Sequence, residues 1–150
     1  MALYPEISVP KIIRDNRSNT LKYGRAPLFD FETGEFIMSP EGAIEEANDQ
    51  KVLIQHVKIA LSVERGAYPI FNFNFGNDLN KLIGQTPSFA HARAPSMIRE
   101  ALMLDPRIEG VDVQDVDVTS QAYIEADIVV RDAVSRQEIN LGIIVNGGVA

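Results

Sequence analysis

Cysteine is absent from the 150-residue sequence, which excludes disulfides, thiolate nucleophiles and cysteine-bound zinc. Long apolar runs are missing as well: no stretch approaches the roughly twenty apolar residues of a membrane span, and the first residues lack the charged-then-apolar layout of a signal peptide. Basic residues are few, 14 Lys and Arg against 21 Asp and Glu, and the net charge of -7 argues against nucleic acid or anionic membranes as partners. We therefore expect a protein made and kept in a cytoplasm and stabilised by packing or by partners.

Recognisable catalytic motifs are equally scarce. His56 and His91 have no partner at metal-ligand spacing, and no Gly-x-Ser-x-Gly element presents a nucleophilic serine. One enzymatic alternative stays open, because a glycosidase needs two carboxylates across a sugar-binding cleft and Glu64, Asp78 and Asp105 are available. We interpret these carboxylates as surface groups and the histidines as structural or surface residues. We expect no enzymatic activity, no cofactor and no metal site.

Apolar residues make up 45% of the chain, which is enough for the core of one ordinary domain. The predicted fold class is α+β, with small helices packed on an antiparallel β-meander, preceded by an N-terminal extended arm and a β-hairpin. The arm covers residues 1–25, which are rich in polar residues and proline, and residues 26–150 form a single domain. The hairpin is predicted from Phe29 to Phe36, where two aromatic-rich runs flank a turn holding Gly34.

Two helices are predicted in the residues that follow the hairpin. Ser39-Pro40-Glu41 offers a cap and a first-turn proline for a short helix that extends to Ala47. The strongest helical periodicity runs from Gln50 to Val63, where apolar residues share one face and polar residues the other. Asn48 or Asp49 is the expected N-cap of that helix.

An aromatic segment and two further helices are predicted next. Phe71, Phe73 and Phe75 recur at a spacing of two, which predicts a strand with all three rings on one side. The further helices are a short one capped by Asn77 or Asp78 and ended by Gly84, and a longer one that begins at Thr86-Pro87 and carries Met97, Ile98, Ala101 and Leu102. Pro95 could divide the longer helix into two pieces.

From Val111 onward the apolar period changes to two, which predicts three antiparallel strands with helices covering one face. The phase slips between Val113 and Val116, and this slip indicates a β-bulge in the first strand. The inward-facing positions of the other two strands are Ala122, Ile124, Ala126, Ile128 and Val130, followed by Ile139, Leu141, Ile143 and Val145.

Acidic residues are concentrated on the first two of these strands. They are Glu109, Asp112, Asp115, Asp117, Glu125 and Asp127. One interpretation is a docking surface for a basic partner, and the other is the solvated face of a half-buried sheet, which we favour because antiparallel sheets alternate in this way.

Two segments resemble a known family, the gene-25-like and W-like baseplate wedge proteins of contractile phage tails. The first is Leu61-Ser62-Val63-Glu64-Arg65-Gly66-Ala67-Tyr68-Pro69 with Phe75-Gly76-Asn77-Asp78-Leu79, similar to the family's helix, Gly-containing turn, proline and aromatic-Gly pair. The second, Ala101-Leu102-Met103-Leu104-Asp105-Pro106-Arg107-Ile108, is similar to the family's Glu-Pro-Arg motif, with aspartate in place of glutamate. The resemblance covers about Gln50 to Val145.

The resemblance implies a sheath initiator, a structural wedge component that joins the baseplate of a virion to the contractile sheath and seeds the first sheath ring. It implies the sheath protein and other wedge proteins as partners, with tail tube or hub proteins as further candidates, and assembly in the bacterial host cytoplasm. We predict that Asp105, Pro106 and Arg107 contact the wedge core. We predict strand addition from the sheath at the last strand, Glu138 to Val145, whose register Ile139, Leu141, Ile143 and Val145 would set.

Three alternatives to these roles remain from the residues themselves. Arg107 could instead brace a carboxylate within the chain at the end of a helix. The protein could be a muramidase-like tail enzyme that uses Glu64. It could also be an adaptor that binds a basic partner through its acidic face.

Overall fold

The computed structural model describes residues 21–119 and 123–146, so residues 1–20 of the predicted arm lie outside the described part. The strands are β1 (Ala26–Pro27), β2 (Phe29–Asp30), β3 (Glu35–Phe36), β4 (Glu46–Ala47), β5 (Ile108–Thr119), β6 (Tyr123–Asp132) and β7 (Glu138–Asn146). The helices are α1 (Gln50–Ser62), a 3-10 helix (Leu79–Leu82) and α2 (Pro87–Leu102). These elements confirm the predicted α+β class.

The main sheet is an antiparallel meander in the order β5, β6, β7. Alternation along β6 buries Ile124, Ala126, Ile128 and Val130 on one face, as the period of two predicts, while Ala122 lies outside the described residues. The predicted bulge is also present, because the register between β5 and β6 shifts between Val113 and Asp115. The strand nevertheless begins at Ile108, three residues before the position where the alternation becomes visible.

Both α-helices cover the apolar face of this sheet. Helix α1 faces it with Leu53, Val57, Ala60 and Leu61, and α2 packs mainly on β5. The core side of α2 combines small and large residues, and the small ones let the helix approach the sheet closely. The buried residues of this side are Ala90, Ala94, Ile98, Ala101 and Leu102. The opposite face of the sheet has no helix over it among the described residues, so it is exposed to solvent.

The predicted hairpin is confirmed, with β2 paired to β3 and Gly34 in the turn at φ 76°. The short helix predicted from Ser39 to Ala47 is wrong. The chain instead turns at Gly42, where φ is 81°, and returns as β4 to pair with β1. Few apolar residues lie in this segment, so a helix here would bury little, whereas the return strand satisfies backbone groups by pairing.

A buried glutamine attaches this N-terminal layer to the core. The side-chain oxygen of Gln55 on α1 accepts a hydrogen bond from the Phe29 N–H at 3.0 Å, and its amide donates to the Pro27 carbonyl at 2.8 Å. These two bonds tie the start of the hairpin to the middle of α1. The backbone groups would otherwise be desolvated without partners.

The strand predicted through the three phenylalanines is wrong. The segment forms successive tight turns, in which the Phe71 N–H donates to the Tyr68 carbonyl and the Phe75 N–H donates to the Asn72 carbonyl. Phe71 and Phe75 therefore stack, with ring centroids 4.7 Å apart, while the Phe73 side chain is 86% exposed. The aromatic spacing of two was misleading because no described strand lies alongside to pair with it.

Helix α2 is one continuous helix, so Pro95 does not divide it. The missing N–H of Pro95 leaves the carbonyl four residues earlier, at His91, without its usual donor, and His91 is exposed so that water can replace it. The expected caps are also weaker than predicted. Asp49 and Thr86 occupy the N-cap positions of α1 and α2, yet neither side chain makes a capping hydrogen bond.

The aromatic loop between α1 and the 3-10 helix is held at its base by Asn77 and Gly76. The buried Asn77 amide donates to the carbonyls of Ala60, Leu61 and Val63, and its side-chain oxygen accepts the Leu79 N–H at 3.0 Å. Gly76 lies beside these groups at φ 99°, where a Cβ atom would be 2.6 Å from the Val63 carbonyl oxygen. This contact explains why glycine occupies position 76.

Replacing Gly76 by alanine is expected to lower the free energy of unfolding by about 2 to 4 kcal/mol, because the new Cβ collides with backbone and the φ angle is strained. Gly84→Ala is the matched control, since Gly84 has φ 81° but open space around it. Its expected loss is about 1 kcal/mol from backbone strain alone. Urea unfolding measures both values, and equal losses would contradict the close approach at Gly76.

Candidate partner-binding sites

The predicted wedge-contact residues form an internal ion pair at the end of α2. Arg107 reaches back two residues to Asp105 as a fork, with Nε 3.0 Å from Oδ1 and Nη2 2.5 Å from Oδ2. The His56 ring adds a nitrogen 3.1 Å from the same carboxylate. The planar guanidinium therefore makes a bidentate contact with a carboxylate of the same motif. Helix α2 ends at Leu102, so the turn before Pro106 is already outside the helix.

Tyr23 joins the N-terminal segment to this pair. The Tyr23 carbonyl accepts a hydrogen bond from Arg107 Nη1 at 2.7 Å, and the phenol donates to the Asp132 carboxylate. Asp132 is fully buried, and it also accepts hydrogen bonds from the Val134 N–H at 2.7 Å and the Ser135 hydroxyl at 2.8 Å. Both ends of the Tyr23 residue are thus bound to carboxylate-centred clusters.

Burial and hydrogen bonding shift the pKa values of Asp105 and Asp132 in opposite directions. Burial opposes ionisation of Asp105, but the hydrogen bonds and positive charge of Arg107 hold its pKa below the ordinary value. Burial likewise opposes ionisation of Asp132, but the bonds from Tyr23 and Ser135 lower its pKa overall. Burial lowers the pKa of His56 and raises that of Tyr23. Both carboxylates are therefore ionised at neutral pH.

A surface hollow of about 490 Å³ lies against the Asp105–Arg107 pair. Its lining is mostly apolar and comes from four parts of the chain: Leu21, Lys22, His56, Phe75, Ala101, Leu104, Asp105, Pro106 and Arg107. Leu104 on its rim is 55% exposed. The motif thus forms the wall of a recess, with its charges already paired and Pro106 and Leu104 facing solvent.

Strand β7 is an edge of the main sheet, with β6 on one side and no described strand on the other. The four side chains predicted to set the register, Ile139, Leu141, Ile143 and Val145, pack in the core or against it. They therefore anchor the strand, while the backbone groups on its outer side have no strand partner among the described residues. A groove of about 340 Å³ runs beside this edge, lined by Phe31, Glu32, Lys58, Leu61, Ser62, Gly142, Ile143 and Ile144.

The solvent face of the sheet carries acidic residues in directly opposed pairs. Asp115 lies opposite Asp127, and Asp117 lies opposite Glu125. Like charges at such positions destabilise a sheet. Strand β6 also carries a basic residue, Arg131, next to its last residue Asp132. Arg131 is opposite Gly110, and it lies four positions along β6 from Asp127, in the nearer of the acidic pairs.

The three carboxylates considered for glycoside hydrolysis have other roles in the structure. Asp78 pairs with Arg65 at 3.0 Å and with Lys81 at 2.8 Å, and Asp105 pairs with Arg107. Glu64 is exposed at the end of α1, where its backbone bridges to Asn77. The lowered pKa of Asp105 is opposite to the raised pKa that a general acid needs.

Several important residues were not identified from the sequence. The sequence patterns did not indicate a role for Tyr23, Gln55 or Asp132, and they predicted Asn77 only as a helix cap. Only Asp132 had a signal in the sequence: it ends an apolar strand and is followed by Ser135. This pattern indicates a turn in which the carboxylate accepts hydrogen bonds from the backbone N–H groups that follow it. In the described part of the chain no three His, Asp or Glu side chains are grouped to hold a metal ion, and no helix there is long and apolar enough to cross a membrane.

Comparison with known proteins identifies the class. A family model described as contractile injection system sheath initiator matches residues 25–132, and the chain belongs to this family. Its role is therefore structural, in the tail and baseplate of a contractile particle. The chain is 29% identical over 135 residues to the phage-like element PBSX protein XkdS of Bacillus subtilis strain 168, covering 88% of this chain and 90% of that protein.

A solved structure shares the fold. It comes from Geobacter sulfurreducens and is named as a tail lysozyme, and the match has a TM-score of 0.54 and 18% identity over 68% of this chain and 94% of that one. At this identity the similarity concerns the fold alone. Strand β7 lies beyond the residues that the family model matches.

Acid is expected to destabilise the protein partly through Asp132. Its pKa is lowered in the folded state from the ordinary 3.8, so its contribution is complete above that value and is lost as the pH falls through the folded pKa. Asp132→Asn should therefore be about 1.5 to 3 kcal/mol less stable at pH 7. Between pH 5 and about 3 it should lose less stability than the parent. Urea unfolding across this range tests both, with exposed Asp112→Asn as the control, and parallel pH curves for all three proteins would contradict the assignment.

Proposed function

We propose that this protein links the baseplate to the contractile sheath and seeds the first sheath ring. The observation that carries the proposal is the open edge of β7. Its side chains are anchored in the core, so the strand holds its register, while its outer backbone groups have no strand partner within residues 21–119 and 123–146 and can hydrogen-bond to another chain. An extended segment of a sheath subunit would add there as a fourth strand.

This mode of attachment suits a sheath that changes length. Backbone hydrogen bonds along a strand do not depend on how the rest of the partner is oriented, so a flexibly connected strand would stay paired while the sheath subunit moves. The groove beside β7 leaves room for inward-facing side chains of the added strand, next to Leu61 and Ile143. The sheath subunit is thus the proposed partner at this edge.

Deletion of the reading frame from the producing genome should leave tail tubes or baseplates that lack sheath, as seen by negative-stain imaging. Complementation with the intact gene should restore sheathed tails. Normal contractile tails without the gene would overturn the proposed function.

Proline substitution can separate the free edge from the paired one. Successive N–H groups of a strand point to alternate sides. The Asp132 N–H donates to the Gln137 carbonyl at the start of the β6–β7 pairing, so in this register Leu141, opposite Ile128, donates to β6 and Asn140 faces the open edge. Asn140→Pro therefore removes a donor at the open edge, and Leu141→Pro removes a donor to β6. The edge variant should keep a melting midpoint close to the parent and fail to bind purified sheath subunits. Retention of sheath binding by both folded variants would exclude strand addition at β7.

The hollow beside Asp105, Pro106 and Arg107 is the proposed contact with the other wedge proteins. Exposed apolar groups at its rim, with Leu104 foremost, would be buried by the partner, while the Asp105–Arg107 pair maintains the shape of the recess. This division combines the predicted partner contact with the intramolecular brace. Tail tube and hub proteins remain further candidates for contact in the assembled baseplate.

Two substitutions distinguish the brace that maintains the recess from the residue that contacts the wedge proteins. Arg107→Ala should lower the free energy of unfolding by about 2 to 4 kcal/mol, because buried Asp105 loses its main partner. Leu104→Ser should change it by less than about 0.5 kcal/mol and weaken co-purification with wedge proteins about tenfold. Phe89→Ser, at a similarly exposed apolar residue on α2, is the matched control. Unchanged stability of Arg107→Ala would contradict the brace, and full wedge binding by Leu104→Ser would contradict the contact.

The proposed role is purely structural, without catalysis or cofactor, in a virion baseplate assembled in the host cytoplasm. The proposed organisation is a single domain over residues 26–150 behind an N-terminal arm. The competing enzyme hypothesis makes a clear demand: the purified protein would have to clear peptidoglycan in a zymogram, and Glu64→Gln would have to abolish that clearing.

A further inference from the structure

Gly142 on β7 is a glycine that the backbone does not require. It is not among the glycines with positive φ, and a Cβ atom added there would meet only Asp127 Oδ1, at an ordinary contact distance of 3.4 Å. Glycine within a strand weakens the strand, and it often marks a place where another chain or ligand approaches closely. A larger residue at this position would fit the fold equally well.

The missing side chain leaves a gap between an acidic pair and the open edge. Asp115, Asp127 and Gly142 occupy one row across β5, β6 and β7 on the solvent face of the sheet. The Asp127 carboxylate lies close over Gly142, and no salt bridge to Asp127 is present among the described residues. The two carboxylates in this row repel each other, so a cation at the open end of the row would be bound favourably.

We infer that the β7 edge selects an extended partner strand carrying Lys or Arg opposite Gly142, with its side chain lying over the glycine to pair with Asp127. This inference rests on the proposed strand addition and specifies the chemistry of the sheath segment. Neighbouring strands are about 4.8 Å apart, so the incoming residue lies about two such spacings from Asp127. A long basic side chain spans that distance once no side chain at position 142 stands between.

The other end of the same sheet shows that this packing is possible. Arg131 lies directly opposite Gly110, and its guanidinium covers the glycine so closely that a Cβ atom there would be 2.8 Å from Nη2. A basic side chain therefore lies over a cross-strand glycine within this protein. The inward-facing neighbours of the basic residue would be apolar, because they would face the groove lined by Leu61 and Ile143.

The test measures binding of the purified sheath subunit of the same tail to the intact protein at several salt concentrations. Asp127→Asn should weaken binding about threefold to tenfold and reduce its salt dependence. It should not lower the melting temperature, because it removes the charge repulsion between Asp127 and Asp115. Gly142→Val should fold normally and also bind more weakly. Asp112→Asn is the matched control, since it removes one exposed charge from the same face outside this row.

The outcomes separate this inference from the strand addition on which it rests. If Asp127→Asn and Gly142→Val bind like the parent while the edge proline variant fails, the strand still adds at β7 but selects no basic residue. If the folded edge proline variant binds like the parent, both the strand addition and the inference are overturned. Equal weakening by Asp127→Asn and Asp112→Asn would reduce the effect to overall charge and would also overturn the inference.

Discussion

In the part of the chain that the structure describes, helices cover one face of the sheet and leave the other uncovered, and the other features of the molecule depend on this constraint. Helices α1 and α2 bury the alternate apolar residues of β5, β6 and β7, which sets the register of every strand. No helix covers the second face and no strand pairs with the outer side of β7 among the described residues. A sheet of three strands that is packed in this way is stable within the domain and still has backbone groups to offer a partner.

The Arg107 motif illustrates how paired charges can fix the shape of a loop. Its charges are paired within the chain, through Asp105 and the Tyr23 carbonyl, so they are not free to bind a partner carboxylate without giving up these contacts. They hold the loop after α2 in place, and the exposed groups of that loop are Pro106 and Leu104. In the proposed wedge contact, this charged motif would hold in place the apolar neighbours that the partner covers.

Two glycines show the difference between what the fold requires and what it merely permits. Gly76 lies at a positive φ against the Val63 carbonyl, where no other residue fits without displacing backbone. Gly142 has room for a side chain and a conformation open to any residue, beside carboxylates that oppose each other. Features that the fold does not need, and that reduce its stability, are the ones that point to function.

The sequence alone determined the α+β class, helix α1, the hairpin, the meander and the bulge, because hydrophobic periodicity records which side of an element is buried. Its two short motifs also indicated the family that the comparison confirmed. Local patterns were misleading where no partner lay alongside, as in the return strand β4 and the turns around Phe71. Only the tertiary structure could bring Tyr23 to Asp132, 109 positions later, and leave β7 rather than β6 at an edge. Such pairings depend on how the whole chain packs, which no local spacing of residues encodes.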